Sequence, residues 1–121
     1  MMNIFSYRLA AGWYIGAIHA NCDTTCQSHN LECTEAELLK HNSDVDSSEK
    51  LMSLIRRLYG DVSFSSCQGN YGTAADVPVF TTSHSYHFCL HSSSGRSLST
   101  FDCKRSTAEN HQSKQRLCYC H

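Results

Sequence analysis

Eight cysteines in a chain of 121 residues limit the folds open to this sequence more sharply than anything else in it. Cys22, Cys26 and Cys33 crowd one end, Cys118 and Cys120 close the other, and Cys67, Cys89 and Cys103 lie between at gaps of 22 and 14 residues. An even count in so short a chain reads first as a disulfide framework, because cross-links let a domain tolerate a small hydrophobic core. Four bridges at about 2–4 kcal/mol each would be comparable to the whole net stability of an ordinary domain. The pattern points to an oxidising compartment, extracellular or in the lumen of the secretory pathway. The pairing is open, since eight cysteines allow on the order of a hundred connectivities. The favoured scheme joins the early cluster to Cys118 and Cys120 and leaves Cys67, Cys89 and Cys103 to take the rest.

One domain is expected at this length. The formal charge of −1 gives no field that would gather nucleic acid or anionic lipid, so neither is expected as a partner. The charges are uneven, with Glu32, Glu35, Glu37, Asp44, Asp46 and Glu49 in one stretch and Arg96, Lys104, Arg105, Lys114 and Arg116 in the last quarter. A solvated acidic helical face and a mildly basic second half account for them.

The period of the apolar residues divides the chain. Asn21 or Asp23 can cap a short helical turn that sets Cys22 and Cys26 on one face, with Asn30 as a left-handed stop. Thr34 with Glu37 forms a capping box over Ala36, Leu38 and Leu39. Asp46 with Glu49 repeats that device ahead of Leu51, Leu54, Ile55 and Leu58, a single apolar stripe ended by Gly60. Beyond Gly60 the period becomes two. Strands are expected at Val62 to Phe64, at Val77 to Phe80 with an edge-compatible Pro78, at Tyr86 to Leu90 and at Leu117 to Cys120. The polar loops between them, 68–75, 92–99 and 106–113, need the central cysteines as staples. The fold class is therefore α+β: a small disulfide-rich single domain, with short N-terminal helices followed by short antiparallel strands and long loops.

Residues 1–20 form an N-terminal segment ahead of a cysteine-rich domain at 21–121. Its apolar run from Leu9 to Ile18 is either a vestigial secretory signal or a first strand at Gly12 to Gly16 that packs Trp13 on the cysteine cluster. It is too short to span a bilayer.

The motifs Cys22-Asp-Thr-Thr-Cys26, Leu31-Glu-Cys33-Thr34-Glu35 and Gln115-Arg116-Leu117-Cys118-Tyr119-Cys120 carry a family resemblance. Over about Asn21 to Cys120 the chain resembles the cysteine-rich C-terminal module of the α-1,6-mannosylglycoprotein 6-β-N-acetylglucosaminyltransferases (glycosyltransferase family 18, N-acetylglucosaminyltransferase V). That tail shares the C-x3-C-x6-C opening and the Arg-aliphatic-Cys-x-Cys close; Tyr119 stands where the family usually has proline. The resemblance implies a secreted or Golgi-lumen setting and an accessory role, as a stand-alone or fragment chain. It carries over no catalytic residue, because there is no room here for the two Rossmann-like lobes of the transferase.

The residues themselves point away from catalysis. There is no G-x-S-x-G, no phosphate-binding G-x-x-x-x-G-K-S/T and no H-E-x-x-H, and no cofactor is expected. A cysteine–histidine nucleophile at Cys89 would need a reduced thiol. The competing reading is a zinc-stabilised Cys/His domain in a reducing compartment, with His87, Cys89 and His91 on one strand face as ligands. Against it, no cysteine pair has the two-residue spacing of a zinc knuckle. A recognition role rests on the aromatics: Trp13, and Tyr71 beside Asn70 in the glycine-bearing loop Gln68-Gly-Asn70-Tyr71-Gly72. The partners this implies are a glycan, a glycoprotein or a larger assembly.

Overall fold

The helices begin where small polar side chains satisfy their first free N–H groups. In a computed structural model of the chain, which describes residues 10–83, 87–107 and 113–121, Asn21 accepts from the Thr24 N–H and opens α1 (Cys22–Gln27). Thr34 accepts from the Glu37 N–H and opens α2 (Glu35–Lys40). The third cap is Ser47, which accepts from the Lys50 N–H at the start of α3 (Ser48–Leu58). Asp46, the expected cap, lies one residue too early and binds the Lys50 ammonium and the Ser94 hydroxyl instead. Asn30 adopts φ 60° just after α1, the left-handed stop its type suits.

Four antiparallel strands, β1 (Gly12–Ile15), β2 (Val79–Thr81), β3 (Phe88–Leu90) and β4 (Gln115–Cys120), form one sheet in the order β1-β4-β2-β3. The segment 12–15 is thus a strand of the sheet, with Trp13 opposite Tyr119 and Tyr14 opposite Cys118. Residues 1–9 of the N-terminal segment, and Tyr86 of the third expected strand, lie outside the described residues. Val62 and Phe64 form no strand. Phe64 is buried in a loop that the Cys67–Cys89 bridge and the Cys67 N–H to Ser48 hydroxyl bond hold in place, so packing replaces the ladder. Pro78 does not mark an edge either. It directly precedes an interior strand, where its carbonyl accepts from the Leu117 N–H and no N–H is required of it.

Period-two alternation makes β4 the axis of the molecule. Arg116, Cys118 and Cys120 share one face, Leu117 and Tyr119 the other. On the first face Cys118 and Cys120 join Cys22, Cys26, Cys33, Leu38, Phe101 and Cys103 in one buried cluster. On the second, Leu117 joins Trp13, Phe80 and the α3 residues Leu51, Met52, Leu54 and Ile55. Each of those four aliphatic side chains contributes about 1.5–3 kcal/mol of burial, which is why so short a helix holds. The tryptophan therefore packs against α3, not against the N-terminal cysteines as expected; its neighbour Tyr14 takes that face and stacks on His29.

All eight cysteines are paired: Cys22–Cys118, Cys26–Cys120, Cys33–Cys103 and Cys67–Cys89. The first two form a double clasp whose geometry follows from two periods. Cys22 and Cys26 are one helical turn apart, about 6 Å of rise, and Cys118 and Cys120 are two strand positions apart, about 6.6 Å. The spacings match, so α1 lies along β4 in the same direction, with Cα–Cα distances of 5.4 and 5.2 Å across the bridges. The Cys33–Cys103 bridge then draws in the 101–105 loop, whose Cys103 carbonyl accepts from the Cys22 and Asp23 N–H groups while its N–H donates to the Glu35 carboxylate.

Candidate functional site

The two aromatic candidates occupy separate clefts. Trp13 is 9% exposed and its indole N–H donates to the Asp44 carboxylate at 3.0 Å. The indole lies edge-on to Tyr119, which stacks on His41. It lines a shallow cleft of about 570 Å³ with Asp44, Glu49, Lys50, Ser53 and Arg57. With its face packed and its N–H engaged, Trp13 is mainly a core residue.

Tyr71 is the reverse case, 60% exposed at the rim of a second cleft of about 390 Å³. Val77, Phe88, Leu90 and Ala74 give that cleft apolar walls, and Gln68, Asp76 and Lys114 give it polar groups. Asn70 is exposed next to Tyr71 and does not line it.

What positions Tyr71 is a loop held more tightly than its composition suggests. Successive turns run through it, from the Gly72 N–H to the Gly69 carbonyl, from Ala74 to Tyr71 and from Val77 to Ala74. Two glycines allow the backbone to approach its neighbours: a Cβ on Gly69 would lie 2.5 Å from the His91 ring, and one on Gly72 would lie 2.6 Å from the Ser93 nitrogen. The Ser93 nitrogen is backbone, so Gly72 admits no side chain unless the chain shifts, while at Gly69 the His91 ring would have to turn away.

The loop is anchored by Arg96, a residue that sequence alone assigns to a solvated basic half. It is 4% exposed. Its guanidinium donates from Nη1 to the Val77 carbonyl and the Ser92 hydroxyl, from Nη2 to the Ala74 and Thr100 carbonyls, and from Nε to the Thr100 hydroxyl. All five N–H donors are used. The carbon of the fork also sits 4.0 Å above the Phe101 ring. Arg116, 1% exposed, holds the 102–105 loop in the same manner through the Asp102 and Arg105 carbonyls. Burial lowers both guanidinium pKa values to about 10, with the carboxylate of Asp76 opposing the shift in each case. Both stay charged at neutral pH. No sequence signal marks them, since a serine- and threonine-rich surround reads as an ordinary surface loop.

The zinc set does not form a thiolate site. Cys89 is 1% exposed and bonded to Cys67, so it has no thiolate to offer, and it cannot serve as a nucleophile for the same reason. His87 pairs with the Ser63 hydroxyl, and His91 donates its Nδ1–H to the Ser92 carbonyl at 2.7 Å. Among the described residues, the group that gathers potential ligand atoms is instead Asp23 with Cys33 and Cys103, whose two sulfurs are bonded to each other. Among the described residues no helix is long and apolar enough to cross a membrane.

Compared with protein-family models, curated proteins and solved structures, the chain matches none. Its clefts and its bridges are therefore what bear on function.

Proposed function

We propose that this chain is a non-catalytic, disulfide-stabilised recognition or structural module of the secretory pathway or extracellular space, comparable to the accessory tail of a family 18 N-acetylglucosaminyltransferase and contacting a glycan or a glycoprotein. One observation carries the reading. The double clasp of Cys22–Cys118 and Cys26–Cys120 binds a helix near one end of the sequence to the strand near the other, and leaves the aromatic loop outside the clasp on a rigid frame. Stapled loops on a fixed scaffold are common binding surfaces. Four bridges require an oxidising compartment for assembly. The order and spacing of the cysteines, with the Arg116-Leu117-Cys118-Tyr119-Cys120 close, support the glycosyltransferase comparison.

Intact mass after alkylation without reductant tests the module reading. Secreted protein should take up no label and weigh about eight hydrogens less than the fully reduced chain. Several labelled thiols in folded protein, or thiols exposed only after chelation of a metal, would overturn it.

A further inference from the structure

The cleft beneath Tyr71 has a composition that narrows its ligand. A pyranose ring presents an apolar C–H face bordered by hydroxyls, and its complement is a flat aromatic surface beside an amide and a charged group. Tyr71 offers the ring, Val77 and Leu90 the apolar wall, and Gln68 the amide. At about 390 Å³ the space is in the range of small-ligand sites and accommodates one or two sugar rings.

The charges decide the rest. The carboxylate in the cleft is Asp76, and a buried cation of the protein, Arg96, already opposes it. Arg96 lies directly behind the wall, because the carbonyls it binds belong to Ala74 and Val77. Lys114 adds a second cation at the rim, and among the described residues no carboxylate lies within salt-bridge distance of its ammonium. Two positive groups against one negative favour an anion. Little ordering is needed on binding, since Gly69, Gly72 and the Arg96 fork already fix the loop.

We propose that this cleft binds an acidic saccharide, its ring stacked on Tyr71 and its carboxylate facing Lys114. This rests on the recognition-module reading and adds the site and the ligand class.

The test uses oxidised protein whose four disulfides have first been verified by mass. It is titrated by isothermal calorimetry with trigalacturonate, sialyllactose and a hyaluronan tetrasaccharide, each beside its neutral methyl-ester counterpart. At least one acidic saccharide should bind, its methyl ester about tenfold more weakly. Tyr71→Ala should abolish binding of both, and Lys114→Gln should bring the acid down to the level of the ester. Equal binding of acid and ester overturns the assignment of charge, and unchanged binding by Tyr71→Ala overturns the location. If no acidic saccharide binds while the disulfides are intact, this inference falls and the module reading stands; free thiols in the starting material remove the module reading itself.

Discussion

Arg96 is an internal fastener made from a residue type that normally faces water. Its five bonds satisfy the Ala74, Val77 and Thr100 carbonyls and the Ser92 and Thr100 hydroxyls at once, and replacing it removes all five while the Ala74 carbonyl keeps its bond from the Val77 N–H. Arg96→Met should therefore cost about 3 kcal/mol or more, and Arg96→Lys should recover little of it because a lone ammonium cannot reproduce the fork. Urea midpoints of the two variants against the parent check this. Asp46 operates near the surface in a different regime. The hydrogen bond from Lys50 holds its carboxyl below the ordinary aspartate range, desolvation works against that, and the Ser94 hydroxyl adds to it. A folded-state value below the unfolded one means stability that is complete above about pH 4 and lost as pH falls through the depressed value. Thermal unfolding between pH 7 and pH 2 should show a steeper acid loss for the parent than for Asp46→Asn.

Within single elements, α3 shows how much a cap is worth. Its N-terminal N–H groups depend on the Ser47 hydroxyl, so Ser47→Ala should lower stability by about 1 kcal/mol, measurable as a shift in denaturant midpoint with unchanged m-value. The double clasp between α1 and β4 obeys another logic. With Cys33–Cys103 in place, either bridge alone closes a loop of roughly 26 residues, worth about 3.5 kcal/mol in chain entropy. Once one is made, its partner closes only a few residues more, worth about 2 kcal/mol. Cys22→Ser with Cys118→Ser, or Cys26→Ser with Cys120→Ser, should thus be tolerated, while removing all four cysteines should cost about 1.5 kcal/mol more than the two pairs added together. Chemical denaturation of the three variants decides it, and simple additivity would count against the entropic account.

At the level of the whole molecule, two bridges end on β4, one on the 101–105 loop beside it and one on β3. Cys67–Cys89 secures the part around α3, Cys33–Cys103 the loop against α2, and the clasp the two ends. The buried clusters are small, and one of them consists largely of the sulfur atoms themselves. Full reduction under native conditions should abolish the cooperative thermal transition, and near-UV circular dichroism with rising reductant will show it. Retention of the native signal with every thiol labelled would mean the aliphatic core suffices alone.

Much of the architecture is encoded locally. The caps at Asn21 and Thr34, the apolar stripe of α3, the left-handed Asn30 and the alternation of Leu117 and Tyr119 with Cys118 and Cys120 are decided by neighbours a few residues away, so they are legible in the order of the amino acids. Tyr71 stands out as an exposed ring on a glycine-bearing loop for the same reason. Other features depend on what arrives from elsewhere in the chain. Phe64 fails to form a strand because no partner ladder meets it, and Trp13 turns from the cysteines because strand register against Tyr119 assigns its face to α3. Arg96 and Arg116 become buried cations only once distant carbonyls converge on them. Elements, two of the three helix caps and the reliance on sulfur thus follow from short stretches of chain. Which charges are interior, and which cleft lies beneath Tyr71, follow only from the folded arrangement, since burial and electrostatic environment belong to groups brought together across space.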